Sequence, residues 1–220
     1  MSSHVGWKLQ QLGYVLKRVR SSLAQRGIKG TFNRIRQEFQ SPQVEDLALS
    51  LEPAGAPAPA EVPFSDTPDI SVIIPVHGKI EWTIACLRSI ARHGANTPFE
   101  VIVVDDASPD ETYATLSTVK GLRVLRNEDN LGFIGSCNAG ARAAKGALLF
   151  FLNNDTQVLP GWLDTLRQTY LEEPGAGIVG SRLIYPDGRL QEAGGIVFSD
   201  GESWNNGRFE PREDTRFLYM

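Results

Sequence analysis

The chain has 220 residues, enough for one good-sized domain with extra elements, and its 41% apolar content excludes a wholly disordered polypeptide. The net charge of −4 hides an asymmetry: residues 1–40 carry eight Lys or Arg against Glu38 alone, and the rest is acidic. Cys86 and Cys137 are the two cysteines, with neither metal-type spacing nor a disulfide framework, so free thiols in a reducing cytoplasm are expected.

Val5, Leu9, Leu12, Val15, Leu16, Val19 and Leu23 recur at three- and four-residue steps, with Lys8, Lys17, Arg18, Arg20 and Arg26 mostly between them. Residues 5–39 therefore read as a basic amphipathic helical arm, interrupted at Gly27 and Gly30 and resumed from Phe32 to Phe39. Such an arm suits an anionic membrane surface or a protein partner, and periodicity alone does not separate the two. No apolar run reaches the ~18 residues of a spanning helix, and the N-terminus lacks a secretory pattern. A cytoplasmic protein is expected, with peripheral contact at the inner face of the plasma membrane and no nucleic-acid partner. Residues 41–68 read as a linker, since Pro42, Pro53, Pro57, Pro59, Pro63 and Pro68 remove donors and favour extended chain. The folded domain is expected over 69–220.

From there strands and helices alternate. Strands are expected at 70–76, 99–104, 122–125 and 147–152, helices at 81–93, 111–120, 133–144 and 160–172. A fifth strand is expected to start at Ile178 and Val179 and run towards Tyr185. Apolar strands separated by helices of about ten or more residues predict an α/β fold with a mainly parallel sheet flanked by helices. Right-handed crossovers bring the strand C-termini to one edge, outside which ligands bind.

Polar residues follow the apolar runs at that edge. Strand one ends in Pro75, Val76, His77 and Gly78, strand two in Asp105, Asp106, Ala107 and Ser108, strand four in Asn153, Asn154, Asp155 and Thr156. Ser108 and Asp110 can cap the following helix, which leaves Asp105 and Asp106 without capping duty. A carboxylate there can accept from a pyrimidine N3–H or a ribose hydroxyl. A lone carboxylate between amides, as at Asn153-Asn154-Asp155, suits a hard cation otherwise held by phosphate oxygens and water. Taken as residues only, the same stretch is also an ordinary turn. Gly132 and Gly135 allow close backbone approach to a ligand, before a helix N-terminus that favours phosphate. Neither a Walker loop nor a Gly-x-Gly-x-x-Gly fingerprint occurs.

Together, Ser71 to Val76, Val101 to Ser108, Asn130-x-Gly132-Phe133, Asn138-x-Gly140 and Phe151 to Asp155 resemble the inverting family-two glycosyltransferases, in particular rhamnosyltransferase-like enzymes of bacterial polysaccharide assembly. The resemblance covers about residues 69–210. It implies a GT-A fold, a nucleoside-diphosphate sugar donor (dTDP or UDP) and a glycan or lipid-linked glycan acceptor. It implies that Pro75, Val76 and His77 line the base pocket and that Asp106 accepts from the base N3–H with Asp105 beside it. Asn130, Gly132, Phe133 and Asn138 then flank ribose and diphosphate. Asn153, Asn154 and Asp155 match the Asp-x-Asp position, with Asp155 as ligand of Mg²⁺ or Mn²⁺. Asn154 stands where many members have Asp, which weakens the metal site. Residues 190–201 and 204–208 resemble the family's donor-sugar and acceptor region, and equally a Gly-rich surface hairpin. The family's general base, an acidic motif further downstream, has no counterpart before Met220, because Glu213-Asp214 follows Trp204 too soon. The chain therefore reads as a transferase domain ending before its base, with a non-catalytic donor-binding fragment as the alternative. A nucleotidyltransferase is disfavoured, because the loop at Pro75 to Lys79 has one Gly and one Lys.

Overall fold

The computed structural model describes residues 51–53 and 55–217, so the expected arm at 5–39 lies outside the described residues. Those described fall into two compact bodies, one up to Ser181 and one from Arg182.

The first body is built on four strands: β1 (Ile70–Val76), β2 (Phe99–Asp105), β3 (Leu122–Arg126) and β4 (Leu148–Phe151). They pair in parallel in the order β3-β2-β1-β4. β1 and β2 are buried along their whole length, as expected of near-continuous Val and Ile runs covered on both faces. On one face Val72, Ile74, Val101 and Val103 pack with Cys86, Leu87 and Ile90 of α1 (Ile80–His93), Leu116 of α2 (Thr112–Leu116) and Leu163 of α4 (Trp162–Glu172). On the other, Ile73, Ile102 and Val104 pack against the alanines of α3 (Gly132–Ala143). Gly140 makes that contact close: a Cβ there would stand 2.5 Å from Ile73 Cγ2 and 3.1 Å from Val104 Cγ2.

Trp162 opens α4 between the rings of Phe99 and Phe150, at 6.1 and 5.3 Å, and donates Nε1–H to the Gly94 carbonyl. In the same turn the Asp164 carboxylate accepts from the backbone N–H groups of Asn96 and Thr97 and from the Thr97 hydroxyl.

Three expectations change. The helix expected over 111–120 is α2 alone and ends at Leu116. The Ser117 and Thr118 hydroxyls donate to the carbonyls of Tyr113 and Thr115, the local competition that shortens helices. No strand starts at Ile178, which is 92% exposed; it stands beside Gly177, and the pair Ile178–Val179 is followed by Gly180. The described part of the proline-rich stretch is packed onto the domain well before Asp69. Val62 is fully buried and its N–H donates to the Lys120 carbonyl, and Glu52 is buried against α1.

The second body holds two small antiparallel pairs, β5 (Leu183–Ile184) with β6 (Leu190–Glu192), and β7 (Gly195–Val197) with β8 (Ser203–Asn205). Tyr185 stacks on Phe209 at 5.5 Å, and the Arg189 and Arg208 guanidinium groups lie over the Phe209 ring. Among the described residues no helix is long and apolar enough to cross a membrane.

Candidate nucleotide-sugar site at the sheet edge

The ladder between β1 and β2 runs one bond past the strands, with Asp106 N–H donating to the Val76 carbonyl at 2.8 Å. Both chains then turn sharply. Gly78 (φ 65°), Lys79 (φ 54°) and Ala107 (φ 53°) adopt left-handed backbone. For the two non-glycine residues this costs about 1 kcal/mol or more each, and such strain collects where a loop serves a site. Gly78 N–H donates to the Ser108 hydroxyl at 2.8 Å, which fastens one turn to the other.

Asp105 and Asp106 both find hydrogen-bond partners within the protein. Asp105 is fully buried, and its carboxylate accepts from Arg126 Nη1 at 2.8 Å and from Ser108 N–H at 3.2 Å. Arg126 also donates to the Ser108 carbonyl and lies over the Tyr113 ring. Asp105 therefore holds the turn from below. Asp106 is buried too, and accepts from Asn127 Nδ2 at 2.7 Å and from the N–H groups of Leu131 and Gly132, each at 2.8 Å. It satisfies orphan donors at the start of α3, a capping duty the sequence reading did not give it. Burial raises its pKa, but the hydrogen bonds from Asn127, the Leu131 amide, Ser136 and the Gly132 amide outweigh that and hold the carboxyl below the usual carboxylate range.

His77 stands at the rim, exposed, with Nδ1 at 2.8 Å from the Asp106 carbonyl. A carbonyl only accepts, so Nδ1 is the donor of that contact. The Asn130 amide nitrogen lies 3.4 Å from both ring nitrogens of His77, and its Oδ1 accepts from Gly132 N–H at 3.0 Å. Pro75 and Val76 are buried strand residues at the end of β1, and Val76 belongs to the core. Phe133 and Asn138 lie exposed on α3 and do not line the cleft.

That cleft, about 530 Å³, is lined by His77, Gly78, Lys79, Trp82, Asn154 and Asp155. It joins the ends of β1 and β4 with the first turn of α1. Asn154 is held by its amide donating to the Thr83 hydroxyl at 3.0 Å, while Asn153 is exposed and its carbonyl closes the turn by accepting from Thr156 N–H. The Asp155 carboxylate is exposed. Its negative field reaches the sheet side of α1: burial first, and Asp155 second, push the Cys86 thiol up to about 12. Among the described residues no three His, Cys, Asp or Glu side chains converge on one point. A cation held wholly by protein does not fit here; one held by Asp155, donor phosphate oxygens and water does.

Lys79 and Trp82 were not singled out from the sequence as site residues. Helical spacing put Trp82 on the apolar face of α1, yet it is 46% exposed. Its place in the first turn after β1 was the available clue, because helical side chains lean towards the N-terminus and so overhang the sheet edge.

A family model described as glycosyl transferase family 2 matches residues 71–218. The chain belongs to glycosyl transferase family 2. Its α/β sheet with helices on both faces is accordingly the GT-A fold, and family membership sets the nucleotidyltransferase alternative aside. Two relatives are an uncharacterized protein y4gI of Sinorhizobium fredii and the O-antigen biosynthesis protein RfbC of Myxococcus xanthus. The first is 31% identical over 162 residues, covering 71% of this chain and 18% of its own. The second is 32% identical over 167 residues, covering 71% of this chain and 13% of its own. The chain thus spans less than a fifth of either relative. A solved structure of S. aureus TarS 1-349 in complex with UDP-GlcNAc is 25% identical, covers 52% of this chain and 38% of that one, and has a TM-score of 0.43.

Proposed function

We propose that this family-two chain binds a nucleoside-diphosphate sugar in the cleft at the β1 and β4 ends, for transfer of the sugar to a glycan acceptor with inversion. The observation that carries the reading is the joint presence, in one cleft, of a ring pair (His77, Trp82), a cation (Lys79) and an exposed carboxylate (Asp155). His77 and Asn130 are placed to take the base and ribose, with Asp105 and Asp106 holding the turns beneath and Gly132, Phe133 and Asn138 alongside. Lys79 faces the diphosphate. Asp155, with Asn153 and Asn154, would hold a divalent cation (Mg²⁺ or Mn²⁺) arriving with the donor phosphates. When bound, that cation neutralises charge growing on the leaving diphosphate.

In the transfer itself an acceptor hydroxyl forms a bond to the anomeric carbon from the face opposite the diphosphate, whose C–O bond breaks. The hydroxyl proton must leave to a base. Among the described residues lining the cleft, Asp155 alone is acidic. That favours a second reading, donor binding without transfer by this chain alone. Rhamnose from a dTDP donor is the specific form of the first reading, and the motif resemblance supports it. Incubating the chain with dTDP-rhamnose and a bacterial glycan acceptor, and reading the anomeric configuration of the product by NMR, tests it. An inverted glycoside is expected. Retained configuration would refute inversion, and tight dTDP binding without any product would favour the second reading.

A further inference from the structure

The turn that carries Asp155 is fastened in part by Glu52, which lies outside the span matched by the family. The Gln157 side-chain amide pairs with the backbone of Glu52 on both sides: its Oε1 accepts from Glu52 N–H at 2.6 Å and its Nε2 donates to the Glu52 carbonyl at 3.0 Å. The Glu52 carboxylate is buried and sits between two arginines of α1, at 2.8 Å from Arg88 Nε and 2.5 Å from Arg92 Nη2. Arg88 also donates to the Pro57 carbonyl. One residue beyond Gln157, Val158 N–H donates to the Ser89 hydroxyl, also on α1. Glu52 precedes the matched residues 71–218 by nearly twenty positions.

We infer that Glu52 and Gln157 form a clasp that positions the Asp155 turn, making both of them positioning residues for the cation-assisted part of donor binding. The reasoning is geometric. The turn 153–158 has two anchors on α1, the Thr83 hydroxyl under Asn154 and the Ser89 hydroxyl under Val158. Glu52 ties the same helix to the same turn from outside, through its carboxylate on one side and its backbone on the other. An exposed carboxylate gives useful cation affinity only where its turn holds it against the phosphates, since a displacement of about 1 Å is enough to lose the geometry. The proline-rich stretch is then a strap, with its own part in the site. This rests on the donor-binding reading above.

The test compares the full chain with its Gln157→Ala variant, titrating UDP or dTDP with and without Mn²⁺ and following amide hydrogen exchange over 153–158 in the absence of ligand. With the clasp removed, affinity in Mn²⁺ is expected to fall about tenfold and affinity without Mn²⁺ to change less than twofold, with faster exchange at Thr156 and Val158. The Glu52→Ala variant should behave alike, and the double variant should lose no more than the worse single one. Equal losses with and without Mn²⁺, or unchanged exchange, would overturn the clasp as a positioning device. If Gln157→Ala fails to fold, Gln157→Glu, which keeps the size but loses the Nε2–H donor, gives the same readout. A wild-type chain that binds no nucleoside diphosphate would refute the donor-binding reading, and the exchange data would still decide whether the clasp holds the turn.

Discussion

Asp106 shows how one buried carboxylate can be built into the turns of a candidate site. It accepts two backbone N–H groups and one amide, so its ionised form is built into the start of α3. Asp106→Ala should destabilise the domain by about 3 kcal/mol, since charge-assisted hydrogen bonds contribute ~1.5–3 kcal/mol each and the orphaned amides add to the loss. Urea unfolding checks this. The pH sign follows from the lowered pKa. A carboxyl held down in the folded state stabilises fully above its unfolded value of about 3.9 and loses that contribution as pH falls through the folded value. Stability should therefore drop below about pH 4, and the drop should be smaller in Asp106→Ala. Asp105 differs in its partner. Arg126→Met leaves it buried and unpaired, for a loss of roughly 2–3 kcal/mol in the same assay. That is less than the ~3–5 of a fully buried pair, because Arg126 is part-exposed.

At the scale of elements, α3 is set by how closely it approaches β1 and β2. Gly140→Ala would push a methyl into Ile73 Cγ2, and overpacking of this kind costs ~1–3 kcal/mol, measurable as a lowered thermal midpoint. The sequence carried the elements well where burial is two-sided. β1 and β2 are continuous β-branched runs, and their bounds could be read almost to the residue. It carried them poorly where short polar side chains decide. Ser117 and Thr118 end α2 by bonding back to its carbonyls, and no apolar spacing announces that. The strand expected at Ile178 failed where the residue stays exposed, which is a tertiary matter. For the site, placing polar turns at strand ends found the right edge. It could not tell Asp106, turned inward onto α3, from Asp155, turned outward to the cleft, because both follow an apolar run. The exposure of Trp82 was not legible because helical phase gives the face of a helix and not which end overhangs the sheet.

Along the whole molecule, a basic N-terminal stretch comes first, then the proline-rich strap and the GT-A domain. If the eight basic residues before position 41 bring the chain to anionic membranes, co-sedimentation with phosphatidylglycerol vesicles should be lost on deleting residues 1–40 and weakened by salt. Pelleting that survives the deletion would refute recruitment by this stretch. The central claim is that the cleft between His77 and Asp155 holds the donor diphosphate and its base. Trp82 lines that cleft and reports on it. The most direct measurement is a tryptophan-fluorescence titration of the full chain with nucleoside diphosphate and Mn²⁺, repeated on Trp82→Phe. The account predicts a saturable change in the wild-type chain that disappears in Trp82→Phe while calorimetry still detects binding. No change in the wild-type chain, or a change that persists undiminished in Trp82→Phe, would contradict it.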